Sequence, residues 1–225
     1  MTQELFSYPE QARVGRLVPK SKIYQHGRVS TAVRQRFVSQ VDQIIWQYKL
    51  APETINLTAS KSVPEIQIFD IILKTEKLDE QVLRAIDRAM PLPIIFQLHY
   101  QFSHGQKVRV VATYKRPSEA DAEKSVIDGY FSTAWQSAKL ERQPLPVALS
   151  LRALYEQLLA HLLPHPLKKG ESLKAGVKRL EQVASLQKQL SQCRNRLQRE
   201  KQFNRKVGIN AELRDLQNQI STLLD

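Results

Sequence analysis

At 225 residues, 42% hydrophobic and 25% charged, the chain has material for one or two packed domains. No apolar run approaches ~20 residues and no basic region leads into an apolar stretch at the N-terminus, so neither a membrane-spanning helix nor a secretory leader is expected. The single cysteine, Cys193, excludes an internal disulfide and a cysteine-built zinc cage, and a reducing, cytoplasmic location is the expectation.

In chain order, residues 1–29 hold Pro9, Gly15, Pro19 and Gly27 with little periodicity and read as mostly loop. Ser30 or Thr31 caps a helix whose stripe runs through Val33, Phe37, Val41, Ile44 and Tyr48. Residues 50–57 read as a loop and a short extended piece. Ile66–Leu73 is apolar and β-branched throughout, which suits a strand covered on both faces. Asp79 is a helix N-cap, and Val82, Leu83, Ile86, Ala89 and Met90 recur at helical spacing until Pro91 and Pro93 stop them. Residues 94–100 form a second apolar strand, expected parallel to the first across a right-handed crossover. His104-Gly105 marks a hairpin into a third strand at 107–115. There Val108, Val110, Ala112 and Tyr114 share one face, and Arg109, Thr113 and Lys115 give the other a wetter character.

Residues 118–124 are polar and read as a surface loop or short helix. The aromatic run 130–135 reads as a further edge strand, and 149–163 as a strong helix that packs on the sheet. Pro164, Pro166, Gly170 and Gly176 read as a linker. Beyond it, Val177, Leu180, Val183, Leu186, Leu190, Cys193 and Leu197 step by three and four. Ile209, Leu213, Leu216, Ile220 and Leu223 repeat four-three-four-three, which is coiled-coil spacing. Such a stripe needs a partner: a hairpin folded back around 204–208, the same helix in a second copy, or another protein.

The net charge of +12 is unevenly placed. From residue 65 to 141 there are ten Lys/Arg against eleven Asp/Glu. From 165 to 206 there are twelve against three, and from 1 to 36 seven against two. Both ends are basic and the middle is neutral, which points to nucleic acid or another acidic partner, with a solvated helical surface as the alternative. The tail cations are Lys174, Lys178, Arg179, Lys188, Arg194, Arg196, Arg199, Lys201, Arg205 and Lys206. Phosphate contact needs such charges and tolerates their loose spacing.

Several phrases together resemble a bacterial family known as domain of unknown function 4391. They are Lys22-Ile23-Tyr24-Gln25-His26-Gly27, the run 37–57, Glu65-Ile66-Gln67-Ile68-Phe69, residues 89–96, Tyr114-Lys115-Arg116, residues 130–135 and residues 200–207. The resemblance covers nearly the whole chain. It implies a genomic setting beside helicases and DNA methyltransferases in restriction-like or phage-defence clusters. It carries no established reaction.

A restriction-type nuclease places an Asp and then Glu-x-Lys on adjacent strands around a divalent metal. The chain offers Glu65, Asp70 and Lys115 as weak counterparts, and Gln97 and His99 on the second strand where Glu-x-Lys would stand. No phosphate-loop, dinucleotide-binding or hydrolase-elbow motif occurs. His26 reads as a hydrogen-bonding loop residue rather than a catalyst or ligand, and Pro164 interrupts the helix that would align His161 and His165, four apart, for a metal. Cys193 lies on an apolar stripe and reads as packing. Tyr130, Phe131 and Trp135 are readable as base-stacking residues or, better, as core.

The expected fold is therefore α/β of the α+β kind: a small mixed sheet with packed helices (residues 1–163) and a basic helical coiled-coil tail (residues 164–225). The expected function is a non-catalytic accessory protein of a DNA-processing, restriction-like or phage-defence complex. It would dock a helicase or DNA methyltransferase, contact DNA through its basic ends and use no cofactor or metal. A divergent metal-dependent nuclease and a coiled-coil assembly protein, homo-oligomeric through its C-terminal helices, are the alternatives.

Overall fold

The computed structural model describes residues 5–117 and 125–225, so the polar stretch 118–124 lies outside the described residues. The chain divides into two compact units, Met1–Leu163 and Pro164–Asp225.

The first unit is a mixed sheet with helices. Its strands are β1 (Arg13–Leu17), β2 (Val41–Leu50), β3 (Ile66–Leu73), β4 (Ile94–Phe102), β5 (Gly105–Pro117), β6 (Ser125–Ser132) and the short β7 (Gln136–Ser137). Its helices are α1 (Lys20–His26), α2 (Thr31–Gln40), α3 (Pro52–Ile55), α4 (Glu80–Ala89) and α5 (Leu151–Ala160). The sheet order is β1-β2-β3-β4-β5-β6, with β7 also paired to β5. Only β3 and β4 run parallel among these pairings, because α4 carries the chain across between them; the others are antiparallel.

The stretch from β3 to β5 follows its sequence signals. Ile66, Ile68, Phe69 and Ile71 are fully buried, as an uninterrupted apolar strand requires. Asp79 Oδ1 accepts from the Gln81 amide at 2.9 Å and caps α4. It also meets Arg36 of α2 at 3.1 Å, while Gln40 Oε1 accepts from the Asp79 amide, so α2 holds the start of α4. Gly105 closes the β4–β5 hairpin at φ +116°, a region that L side chains rarely adopt.

One face of the sheet carries Phe69, Ile71, Leu73, Phe96, Leu98 and Val111 against Ile23, Phe37, Val82, Leu83 and Ile86 of α1, α2 and α4. The other face is covered by α5, whose Leu151, Leu154, Tyr155, Leu158 and Leu159 are buried. The Tyr155 hydroxyl donates to the Thr113 carbonyl at 2.6 Å.

Five expectations are corrected. The helix read through Tyr48 stops at Gln40, and Val41–Leu50 is strand β2, paired along its length with β3. Val41, Ile44 and Tyr48 satisfy a helical step by coincidence, while the run is β-branched and aromatic and finds a strand to pair with. Of the stretch 1–29, the described residues 5–29 are not mostly loop, since they hold β1 and α1; residues 1–4 lie outside the described residues. Residues 52–55, read within a loop and extended piece, form the short helix α3, closed by Asn56 in the left-handed region at φ +53°. The presumed wet face of β5 is covered: Thr113 is fully buried and the Lys115 side chain is 3% exposed. The run 130–135 is strand only to Ser132, where β6 ends at the sheet edge.

The second unit is a pair of helices, α6 (Leu173–Arg199) and α7 (Phe203–Leu224). Gly176 belongs to the first turn of α6, not to a linker, because Ser172 caps that helix by accepting from the Ala175 amide. The two helices fold back on each other. Leu186, Leu190 and Cys193 meet Ile209, Leu213, Leu216, Ile220 and Leu223 in one apolar seam. The reversal is at 200–202, not 204–208. There the Glu200 carboxylate accepts from the amides of Lys201 and Gln202 at 2.8 and 2.9 Å and supplies what a glycine turn would otherwise provide. Among the described residues no helix is long and apolar enough to cross a membrane.

Candidate functional site

The three residues of the nuclease alternative are placed apart. Glu65 sits just before β3, where Lys49 lies 3.1 Å from its carboxylate and Gln67 donates to it at 2.8 Å. Asp70 lies mid-β3 on the face covered by α5. Lys115 projects to the opposite, α4 face, where its ammonium stands 2.7 Å from Asp87 and donates to the carbonyls of Met90 and Leu92 at 2.9 and 2.5 Å. The ammonium thus has two carbonyl acceptors and one carboxylate counter-ion. Tyr130 donates its hydroxyl to the same Asp87 carboxylate. Burial pushes the Asp87 carboxyl up and the Lys115 ammonium down, each opposed by the partner's charge. Lys115 thus locks the end of α4 to the sheet.

Asp70 has neighbours that sequence reasoning named only in part. The parallel register sets Asp70 beside Gln97. The Gln97 amide nitrogen donates to Asp70 Oδ1 at 2.9 Å, and Gln97 Oε1 accepts from Arg142 at 2.7 Å. His99 Nε2 stands 3.4 Å from Asp70 Oδ1, an ion pair when the ring is protonated. Arg142 also donates to the Phe6 carbonyl. Tyr8 stands close by, its hydroxyl pushed up chiefly by burial. A gap of about 10 Å³ beside Tyr8, Gln97 and Val110 has room for about one water. Gln97 therefore links a carboxylate to a guanidinium. Nothing in the sequence near Arg142 ties it to β4; only the register across β3 and β4 was a usable signal. Among the described residues no three His, Cys, Asp or Glu side chains gather to hold a metal ion.

The ten tail cations fall into two groups. Arg179 is committed to Glu171 at 2.7 and 2.8 Å and to the carbonyls of Pro166 and Leu223. The hydrogen bonds from Arg179 are the main reason the Glu171 carboxyl falls to about 2. Arg196 donates to both oxygens of Glu212 at 2.6 Å, and Arg205 lies 4.0 Å from Glu200. Lys174, Lys178, Lys188, Arg194, Arg199, Lys201 and Lys206 are exposed, and of these Lys206 lies near enough to Glu200 to help lower its carboxyl. Cys193 is fully buried in the seam, with its thiol 3.7 Å from the Ile209 carbonyl.

No curated protein and no solved structure shows a significant match to the chain. The family model described as Domain of unknown function (DUF4391) matches residues 6–220, and the chain belongs to that family.

Proposed function

We propose that this protein is a non-catalytic accessory component of a DNA-processing assembly of restriction or phage-defence type. It holds nucleic-acid phosphates with the basic hairpin of α6 and α7 and docks a helicase or DNA methyltransferase of the same system. The observation that carries the reading is that the hairpin closes its apolar seam within one chain while seven cations stay exposed outside it. A surface of that kind suits polyphosphate, whose binding releases counterions and needs no fixed geometry. The choice of enzyme partner rests on the family's expected genomic setting. Against the nuclease alternative stands the separation of Asp70 and Lys115 on opposite faces of the sheet. Against a scaffold joined through the tail stands a seam already filled by its own second helix.

The test is a fluorescence-anisotropy titration of duplex DNA at several salt concentrations. About four engaged phosphates give a slope of log K against log salt of roughly −3.6. Replacing Arg194, Arg199, Lys201 and Lys206 with Gln is expected to flatten that slope and weaken all sequences alike. Arg196 is left in place because it is occupied by Glu212. No binding by wild type at low salt, or identical slopes for both proteins, would sink the reading.

A further inference from the structure

The tip of the hairpin carries a feature that phosphate contact does not use. Phe203, the first residue of α7, is 78% exposed, and among the described residues it is the one aromatic of the exposed large hydrophobic side chains. Val207, four residues on, is 54% exposed and shares its helix face. Scattered surface hydrophobics need no explanation. This pair differs in its sequence neighbours: Arg199, Lys201, Arg205 and Lys206 lie within four residues of Phe203 and are all exposed, Arg205 with Glu200 at 4.0 Å. The tip is also a fixed shape, because Glu200 ties the turn through two backbone amides.

We infer that Phe203 is a base-stacking residue, and that the hairpin tip binds unpaired nucleotides of single-stranded or junction nucleic acid. The inference rests on the phosphate reading of the hairpin and adds its ligand class. An exposed aromatic ring in a cation-rich stretch of chain matches a ligand with an anionic backbone and π-faced bases. A second protein offering an apolar pocket would have to desolvate four cations to reach the ring. In a duplex the bases are stacked on each other, so the ring has a free partner only where the strand is open.

The experiment uses the full chain with a fluorescein-labelled single-stranded oligonucleotide, the matching duplex, and a strand carrying 2-aminopurine. Phe203→Ala is expected to lower single-strand affinity about five- to a hundred-fold. Duplex affinity and the salt slope should stay near wild type. Phe203→Trp should restore binding, Phe203→Leu should not, and wild type should change 2-aminopurine fluorescence where Phe203→Ala does not. Circular dichroism checks that each variant keeps its helices. Wild-type binding with a normal salt slope but no response to Phe203→Ala would overturn this inference and leave phosphate binding standing. No wild-type binding to either nucleic acid would overturn both. A Phe203→Ala defect confined to vesicles of phosphatidylserine and phosphatidylcholine would assign the tip to a membrane surface instead.

Discussion

Lys115→Met is expected to destabilise the first unit severely. The substitution removes the cation from a site where the Asp87 side chain is 0% exposed. It also leaves the carbonyls of Met90 and Leu92 without their donor and Asp87 without its counter-ion. Asp87 retains the Tyr130 hydroxyl. Stranding one member of a buried ion pair costs about 3–5 kcal/mol. For a chain of this size that is about 6–20 °C in unfolding midpoint, at about 2–4 °C per kcal/mol. Asp87→Asn strands the ammonium instead and is expected to fall in the same range. The double variant holds no buried charge at the pair, so its loss should be smaller than the sum of the singles by about 1–3 kcal/mol. Urea unfolding followed by tryptophan fluorescence measures this cleanly, because Trp46 and Trp135 both lie before Pro164 and report only on the first unit. Additivity within about 0.5 kcal/mol, or a Lys115→Met loss below about 1 kcal/mol, would refute the argument.

Glu171 titrates near 2 instead of its ordinary 4.5, so its ion pair with Arg179 stabilises fully above 4.5 and is lost as pH falls from there towards 2. Glu171→Gln should flatten that acid limb in thermal melts of the helical circular-dichroism signal. Leu216→Asp puts a charge into the hairpin seam at a cost above about 3 kcal/mol. It should loosen the hairpin while the tryptophan-detected transition stays in place, and a single shared cooperative loss would contradict that. Gly27→Ala should cost about 1–3 kcal/mol in the same urea assay, since the new Cβ would lie 2.6 Å from the Ala85 carbonyl and 2.8 Å from that of Ile23. The protein is expected to leave plasmid DNA intact in Mg²⁺ or Mn²⁺, and cleavage that vanishes in Asp70→Ala would show otherwise.

The strand-helix-strand-strand centre was legible because each element carries its own local signal. Ile66–Leu73 has no polar relief, Asp79 is a cap, Pro91 and Pro93 are stops, and Gly105 is a turn. β2 was not legible, because Val41, Ile44 and Tyr48 fit either period and only the pairing with β3 decides between them. β1 is a five-residue edge strand with Leu17 exposed, so no buried face marked it. The reversal near Glu200 carries no turn signal in the sequence, because a carboxylate, not a glycine, closes it, and Gly208 nearby is ordinary helix. At the candidate sites, the charge of the tail could be counted, but which cations are occupied depends on where Glu171 and Glu212 land. Arg142 meets Gln97 from 45 residues away, a distance at which sequence spacing carries no information.

The antiparallel course of α6 and α7 also sets an order of assembly. Near the turn, Cys193 meets Ile209 across 16 residues of chain, whereas at the open end Arg179 meets Leu223 across 44. Closing the longer loop first costs about 0.9 kcal/mol more, from (3/2)RT ln(44/16). A hairpin of this kind zips from its tip outward, and its contacts are local enough to form on the fast side of folding times. Opening runs the other way: amides of α7 near Asp225 should exchange with solvent first, and those beside Cys193 last. The end of the hairpin that bears Phe203, Arg199 and Lys201 is therefore the end that closes earliest and stays closed longest.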